Sequence, residues 1–370
     1  MLAPLSLYVH IPFCVKKCLF CSFAVTIGAA HRVDEYLKAL EKEAAQYKGT
    51  ALKTIYLGGG TPSFLSTVQM QRLVSMINDN FNVAPDAAWS IESNPEGIGP
   101  NSAQGLKDLG FKRVSLGVQS FNDTHLKFLG RVHDSAGAER AYATLRKAGF
   151  NDINVDLMYG FPGQTRVQLR NDLDKVINLN PEHVSIYTLT IEPNSRFYAK
   201  QMKLDSDDKL ADDYVFVTQT LDVVGLKQYE VSNFAKAGFE SQHNMVYWQG
   251  GDYIGLGMGA HSFMDGRRFW NVGTLNLYIE KIENSGRAQE DEEILPQETR
   301  LAERLIFGLR MNAGIDISRV EEKFKISFPA TTHREIELLL NEGFLTKQGG
   351  QISTTIKGRL VLDEIASRLV

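Results

Sequence analysis

The sequence has very little cysteine, no long apolar run and no strong excess of either charge. Three cysteines occur among 370 residues. This odd number, with no visible secretory signal in residues 1–13, argues against a disulfide framework and for a reducing compartment. We therefore expect a cytoplasmic protein. The longest apolar runs, such as Leu338–Leu340, are far too short to cross a bilayer, while peripheral contact with a membrane stays open.

The charge balance bears on the class of partner. The formal net charge is −4, whereas binding to nucleic acid requires a cationic surface that neutralises phosphates. We therefore expect no nucleic-acid partner. The content of 43% hydrophobic and 23% charged residues is that of an ordinary globular protein. The length allows one large domain and a smaller one.

The first half of the chain alternates short apolar runs with amphipathic helical patterns. This alternation predicts a parallel sheet with crossover helices, although periodicity does not decide between an open sheet and a barrel. The predicted strands are Leu5–Val9, Thr54–Leu57, Trp89–Ser93, Arg113–Gly117, Ile153–Met158 and His183–Tyr187. The predicted helices are Val33–Tyr47, Val68–Asn80, Ser135–Lys147 and Val167–Asn178.

Unusual residues follow four of these strands, in the segments GGGTP, ESNPEG, GVQSF and DLMYGFPGQT. Parallel α/β folds place their ligands at the carboxyl ends of the strands. One such segment alone is explained by the tendency of glycine and proline to end a strand. Four in series predict a shared site.

The rhythm changes after Glu192, where a predicted helix, Ser206–Val224, leads to a predicted strand, Gln228–Asn233. Three further helices and a hairpin with Gly349–Gly350 at its turn predict a winged-helix-like end. Residues 291–370 hold 13 acidic and 11 basic residues, which disfavours DNA binding by this part. We divide the chain into a core (1–192), an extension of the core (193–290) and an α+β C-terminal domain (291–370).

All three cysteines, Cys14, Cys18 and Cys21, lie in the segment CVKKCLFC. A zinc site usually has a fourth ligand and two closely spaced pairs, and a redox dithiol leaves one cysteine unexplained. Three unligated buried cysteines are improbable at this spacing. Three thiolates suit a [4Fe–4S] cluster that leaves one iron open.

This segment resembles the signature of the radical S-adenosylmethionine (SAM) enzymes. The resemblance implies a partial (β/α)6 barrel and a cluster whose open iron chelates SAM and supplies the electron that cleaves its sulfonium to a 5′-deoxyadenosyl radical. The flanking YVHIPFC is similar to the oxygen-independent coproporphyrinogen III oxidase-like family, which includes the HemW-type haem chaperones.

The resemblance also implies roles for residues around the cofactor. Tyr8 and His10 alternate along a strand and are expected to face the cluster together. Phe20 matches a contact with the SAM adenine, although a core role stays open. The remaining matches are a glycine-rich loop that binds the SAM amino-acid end and four polar positions of the SAM pocket: Gly58, Gly59, Gly60 and Thr61, and Glu92, Gln119, Arg131 and Asp156.

The glycine-rich segments do not predict a dinucleotide site. In GGGTPS the third glycine of the G-x-G-x-x-G pattern falls on Ser63, and GLGMGA fails the same test. A Rossmann dehydrogenase is therefore disfavoured.

The family contains both an oxidase, which decarboxylates coproporphyrinogen III to protoporphyrinogen IX, and a haem carrier. Its oxidases carry an N-terminal extension and a further cysteine after the third ligand, whereas this sequence begins close to its first strand and has Ser22 after Cys21. The segment HNMVYW matches the H-N-x-x-Y-W motif of HemW proteins.

In that motif His243 is the expected iron ligand, and Tyr247 and Trp248 are expected against the porphyrin; His261 is a second candidate, expected to be structural. A carrier of haem is favoured, with an electron donor and haem-accepting proteins as partners. The oxidase and a radical SAM reaction on another molecule remain the alternatives.

Overall fold

The computed structural model describes residues 5–370. Its strands are β1 Leu5–Ile11, β2 Phe13–Cys14, β3 Thr26–Ile27, β4 Ala51–Gly59, β5 Asn82–Ser93, β6 Arg113–Gln119, β7 Asp152–Tyr159, β8 His183–Thr188, β9 Lys227–Glu230, β10 Asn233–Ala235, β11 Tyr253–Leu256, β12 His261–Met264, β13 Arg267–Asn271, β14 Gln289–Ile294, β15 Ile315–Asp316, β16 Leu345–Gln348 and β17 Gln351–Thr354.

The helices alternate with these strands in the first half of the chain and dominate its end. They are α1 Val33–Ala44, α2 Thr67–Asn80, α3 Pro100–Asp108, α4 Asp123–Leu129, α5 Ser135–Lys147, α6 Arg166–Leu179, α7 Arg196–Ala199, α8 Asp207–Val223, α9 Gln242–Trp248, α10 Leu275–Ser285, α11 Gln297–Arg310, α12 Ile317–Phe324, α13 Ala330–Asn341, α14 Ile356–Leu360 and α15 Leu362–Leu369. None of them is long and apolar enough to span a membrane.

Six parallel strands form the centre of a single sheet, in the order β1-β4-β5-β6-β7-β8. Successive strands are neighbours, as right-handed crossover connections produce. The six strands predicted from apolar runs are therefore confirmed, as is the partial (β/α)6 barrel. Further strands extend both edges: β11, β12, β13 and β14 beyond β1, and β10 and β9 beyond β8.

Burial explains why these segments take these forms. The β6 strand is buried at every residue except its last, as expected for a strand covered on both faces. The α1 helix buries Val33, Tyr36, Leu37 and Leu40, the spacing of one helical face. Ser66 begins α2 with a capping box that satisfies free backbone N–H groups. Sheet and helices share one core.

The C-terminal residues have a separate apolar core that runs from Leu301 to Leu369. A three-stranded sheet, in the order β15-β17-β16, packs there with the last helices, and the hairpin turn at Gly349–Gly350 is as predicted. The winged-helix-like fold is confirmed. The boundary drawn after residue 290 falls inside β14, which belongs to the large sheet.

Some features differ from the sequence prediction. The segment Gln228–Asn233 is not one strand, because the chain turns after Glu230 and β9 pairs antiparallel with β10. In that turn, the Ser232 N–H donates to the Glu230 carboxylate at 3.0 Å. The short helices α3 and α4 have no counterpart in the prediction, since seven to nine residues give a weak periodic signal.

Candidate functional site

The cysteine-bearing loop is fastened at both ends where β1 finishes. The Thr26 N–H donates to the Pro12 carbonyl at 2.7 Å, and β2 and β3 close the base of the loop as a parallel pair. The imidazole Nε2 of His10 lies 2.8 Å from the Ala24 carbonyl. In the middle of the loop, the Leu19 N–H donates to the Leu129 carbonyl at 2.9 Å. The three thiols are therefore held on a short, well-anchored loop.

The glycine-rich loop packs directly against this segment. The Gly60 N–H donates to the Ile11 carbonyl at 2.9 Å, and the Thr61 N–H donates to the Phe13 carbonyl at 3.0 Å. Gly59 has φ +110°, and a Cβ atom there would lie 2.4 Å from the His10 ring. Only glycine combines this backbone conformation with so close an approach.

The two loops and the ends of the parallel strands enclose a cavity of about 510 Å³. Most residues predicted for the site line it: Cys14, Cys18, Cys21, Phe20, Gly59, Gly60, Thr61, Glu92, Gln119, Arg131 and Asp156. Tyr8, His10 and His243 are not among the lining residues. The structure thus brings segments from residue 14 to residue 156 into one site.

The cysteines are partly exposed to this cavity and have polar neighbours. Cys14 Sγ lies 3.4 Å from Thr61 Oγ1, and the Arg131 guanidinium donates to Cys18 Sγ at 3.3 Å. Burial raises the pKa of the Cys14 and Cys21 thiols. Metal binding must therefore displace protons from these two thiols.

The arrangement of the three thiols indicates whether they suit a single metal ion or an iron–sulfur cluster. Within residues 5–370, no group of three His, Cys, Asp or Glu side chains converges to hold one metal ion. An iron–sulfur cluster binds each thiolate through its own iron, so its ligands need not meet at a point. Three thiols lining one cavity therefore fit a cluster better than the zinc alternative.

Arg131 is the centre of a polar network in the wall of the cavity. Its guanidinium donates to Asn94 Oδ1 and to the Gly117 carbonyl, both at 2.7 Å. The Asn94 amide in turn donates to Thr61 Oγ1 at 3.0 Å. Asn94 lies in the strand-end segment ESNPEG, but nothing in the sequence marked this residue as part of the site.

Two carboxyl groups face the interior of the cavity. Glu92 accepts hydrogen bonds from the Tyr56 hydroxyl at 2.9 Å and the Gly59 N–H at 3.1 Å. Asp156 accepts from Ser115 at 3.0 Å and from Asn154 at 2.6 Å. Burial, reinforced by the nearby Asp156 charge, raises the pKa of Glu92 to about 7. Burial also raises the pKa of Asp156. A cationic ligand would favour the ionised form of both.

Gln119 and Phe20 both line the cavity, but they differ in backbone conformation and in packing. Gln119 ends β6 with φ +70°, which is uncommon for a residue other than glycine and typical of functional sites. Phe20 lines the cavity but also packs against a small apolar cluster that includes Leu129 and Phe161. Both roles expected for Phe20, adenine contact and core residue, are compatible with this position.

Tyr8 and His10 lie beneath the glycine-rich loop. The Tyr8 hydroxyl is 3.1 Å from His10 Nδ1, so the two side chains share a face as predicted. A Cβ atom on Gly58 would lie 3.0 Å from the Tyr8 ring. In this arrangement both side chains support the wall of the cavity, and direct contact of Tyr8 with a cofactor stays a prediction.

His243 lies in α9, against the opposite end of the strands. Only 2% of its surface is exposed, and its pKa is lowered to about 3 by burial. Nδ1 lies 2.8 Å from Thr54 Oγ1, and Nε2 lies 2.8 Å from the Tyr247 hydroxyl. Both ring nitrogens are thus engaged. Ligation of iron by His243 stays a prediction that requires the ring to leave these partners.

Comparisons with known proteins agree with this geometry. The radical SAM superfamily matches residues 8–176, and the HemN C-terminal domain matches residues 295–361. The heme chaperone HemW of Lactococcus lactis is 36% identical over 359 residues, covering 96% of this chain and 94% of the relative. The heme chaperone HemW of Escherichia coli is 42% identical over 274 residues, 72% of each protein.

A solved structure extends the likeness to three dimensions. Coproporphyrinogen III oxidase (HemN) from Escherichia coli, a radical SAM enzyme, matches with a TM-score of 0.88 and 28% identity, covering 99% of this chain and 90% of the oxidase. The chain belongs to the radical SAM superfamily and, within it, to the family of the heme chaperone HemW. The family implies a [4Fe–4S] cluster and SAM as cofactors.

Proposed function

We propose that this protein is a radical SAM haem chaperone, which binds haem and delivers it to haem-requiring proteins. The observation that carries the proposal is the similarity along nearly the whole chain to relatives named heme chaperone HemW, including 36% identity over 96% of the chain. The cavity lined by three thiols is consistent with the iron–sulfur cluster that the family implies. The proposal includes a cytoplasmic location and two kinds of partner, an electron donor and haem-accepting proteins.

In this proposal the cofactor site is the cavity lined by the three cysteines and the ends of the parallel strands, called the upper cavity from here on. Cys14, Cys18 and Cys21 hold the cluster, which when bound supplies an electron to the SAM sulfonium. The backbone of Gly59 and Gly60 offers polar groups to the amino-acid end of SAM. Arg131 stabilises thiolate charge at Cys18, because its guanidinium already donates to that sulfur.

The acidic pair gives the cavity its preference for a cation. SAM carries a positive sulfonium, and ionised Glu92 and Asp156 provide negative charge. Neither carboxylate forms a salt bridge with any residue from 5 to 370, although the Arg131 charge reaches Asp156. The Tyr56 hydroxyl and the Gly59 N–H hold the Glu92 carboxylate in place. Gln119, Thr61 and Phe20 complete the proposed SAM site.

The oxidase is the second candidate, favoured by one observation. The fold matches the solved coproporphyrinogen III oxidase over 99% of this chain with a TM-score of 0.88. An oxidase would use the same upper cavity to remove hydrogen from the propionate groups of its substrate.

Both candidates are separated by one experiment on anaerobically reconstituted protein with an intact cluster spectrum. The protein is given SAM, a reductant and coproporphyrinogen III, and the tetrapyrroles are separated by chromatography. A haem chaperone gives no turnover to protoporphyrinogen IX and binds added haem at one equivalent. Accumulation of protoporphyrinogen IX over many turnovers would instead establish the oxidase.

A further inference from the structure

A second cavity, of about 440 Å³ and called the lower cavity from here on, lies between the extension of the sheet and the C-terminal domain. Most of its lining is aromatic, and the remainder is dominated by arginine. The lining includes Tyr247, Trp248, Tyr253, His261, Phe263, Arg268, Arg300, Glu303, Arg304, Phe307 and Phe324. None of these side chains lines the upper cavity.

Regular structure brings these side chains together. Arg300, Glu303, Arg304 and Phe307 follow the i, i+3, i+4, i+7 spacing of one face of α11. His261 and Phe263 alternate along β12 and so point to the same side, and Phe263 pairs with Tyr253 of the neighbouring strand. Trp248 at the end of α9 and Phe324 at the end of α12 close the cavity.

The lining carries an excess of positive charge. Glu303 is already engaged by Arg268, whose guanidinium donates to its two oxygens at 2.8 and 2.7 Å. Within residues 5–370 neither Arg300 nor Arg304 forms an ion pair, and Arg300 Nε and Trp248 Nε1 are buried without a hydrogen-bond partner. Arg304 donates to the Trp248 carbonyl at 3.2 Å, and Asp252 lies close enough to Arg300 for electrostatic interaction without forming an ion pair. An anionic ligand in this aromatic cavity would give both guanidiniums an ion-pair partner.

His261 supplies a free ligand atom at the edge of this cavity. The residue is exposed as a whole, and its ring stacks on Trp270, with centroids 5.6 Å apart, which covers part of the imidazole. No hydrogen bond joins either ring nitrogen to any residue from 5 to 370, in contrast to His243. Burial and the nearby Arg268 lower the pKa of His261, so the imidazole is neutral at pH 7, the form that binds iron.

We propose that this lower cavity is the haem site, with His261 as the axial ligand and with Arg300 and Arg304 binding the two propionates. The inference rests on the proposed function, because that function supplies the haem. A flat macrocycle with an iron centre and two carboxylates matches three features of the cavity: aromatic walls, an imidazole without a hydrogen-bond partner and two guanidiniums without ion pairs among residues 5–370. His243 is a positioning residue, which holds Tyr247 in the wall through its 2.8 Å hydrogen bond.

The test is a titration of the full-length protein with haem, followed by the Soret band and by electron paramagnetic resonance of the ferric complex. His261→Ala should lower haem affinity at least tenfold and remove the signature of histidine ligation. The same variant should bind metal-free protoporphyrin IX as wild type does. Arg300→Gln and Arg304→Gln should each weaken both porphyrins by roughly tenfold.

The controls separate ligation from charge and from folding. His333→Ala removes an exposed histidine of the C-terminal domain, and Arg170→Gln removes an exposed arginine on α6; both should bind haem normally. His243→Gln should weaken haem binding but keep the histidine-ligated spectrum. Circular dichroism of each variant checks that the fold is retained.

Three results would overturn the inference, and they distinguish a wrong haem site from a wrong proposed function. If wild-type protein binds haem but the His261 and arginine variants are unchanged, the haem site is elsewhere and the proposed function stands. If His243→Gln loses histidine ligation while His261→Ala keeps it, His243 is the iron ligand. The inferred site is then wrong, and the proposed function stands. If wild-type protein binds no haem at all, the proposed function fails and this site fails with it.

Discussion

The upper cavity lies at the carboxyl ends of the six parallel strands, whereas the lower cavity lies between the strands that extend the sheet beyond β1 and the helix α11. The two cavities differ in how the chain builds them. Loops that directly follow the strands form the upper cavity, and its charged groups are held in dense hydrogen-bond networks. Three helices and three strands outside the six-stranded core line the lower cavity, where Arg300 and Arg304 form no ion pair with any residue from 5 to 370. This difference agrees with the roles proposed above, a resident cofactor in the upper cavity and a transferable ligand in the lower cavity.

A series of side chains in contact runs from His243 in α9 to Glu92 in the upper cavity. His243 stacks on Tyr56 with centroids 5.1 Å apart, and the Tyr56 hydroxyl donates to Glu92 at 2.9 Å. On β4, Thr54 contacts His243 and Gly59 contacts Glu92, and these two positions are separated by roughly 17 Å of strand. The two cavities can therefore be compared by substituting a residue near one of them and measuring ligand binding at both.

The largest effect is expected from Cys18→Ser. A serine hydroxyl does not replace the thiolate as an iron ligand, so the variant should lose the iron–sulfur absorption completely after reconstitution. Absorption spectroscopy with iron and sulfide analysis measures this loss. An intact cluster in this variant would contradict the ligand assignment.

Substitution of Gly59 by alanine should damage the upper cavity and the fold. The added Cβ would lie 2.4 Å from the His10 ring at φ +110°, so we expect the free energy of unfolding to fall by roughly 2–4 kcal/mol. Gly28→Ala is the matched control, because Gly28 has φ +70° but no atom within 4 Å of the added Cβ. Equal losses in chemical denaturation would show that the contact with His10 contributes nothing.

A moderate effect is expected from pH. The Glu92 pKa of about 7 means that this carboxyl is protonated in the cofactor-free protein below that pH and ionised above it. Because cationic SAM favours the ionised form, SAM affinity should fall by up to about tenfold per pH unit below pH 7 and level off above it. Calorimetry of wild type and Glu92→Gln measures this slope.

Glu92→Gln should bind SAM weakly and without that pH dependence, while its cluster spectrum stays intact. The carboxamide preserves the shape of the side chain and removes only the charge. If the variant keeps wild-type affinity across the pH range, Glu92 does not contact SAM.

The smallest effect is expected from Tyr56→Phe, which removes one hydroxyl and keeps the ring. The hydrogen bond from Tyr56 lowers the pKa of Glu92, so its loss should raise that pKa and move the midpoint of the SAM-binding profile to higher pH. The stacked contact with His243 remains, and haem binding should be unchanged. A lowered midpoint would contradict the assigned hydrogen bond.

Most residues that the sequence marked for the cofactor site line one cavity, because the sequence signals are local. The cysteine spacing lies within eight residues, and each of the four strand-end segments directly follows an apolar run that predicts a strand. The parallel sheet then places these segments at one edge. Asn94 was not recognised, because its role depends on contacts with Arg131 and Thr61 from other loops.

The lower cavity could not be predicted in the same way. Its residues extend from Tyr247 to Phe324, and what unites them is the packing of α11 against α9 and the extension strands. The motif HNMVYW pointed to His243, but only the structure shows that this ring is buried with both nitrogens engaged. His261, expected to be structural, is exposed and unbonded within the described chain, which sequence patterns do not reveal.

The most direct test of the two-site account is a haem titration of Cys18→Ser beside the wild type, followed by the Soret band. The account predicts that the variant, although it lacks the cluster, binds one equivalent of haem with the affinity and histidine ligation of the wild type. Loss of haem binding together with the cluster would contradict it, and would place haem in the upper cavity instead.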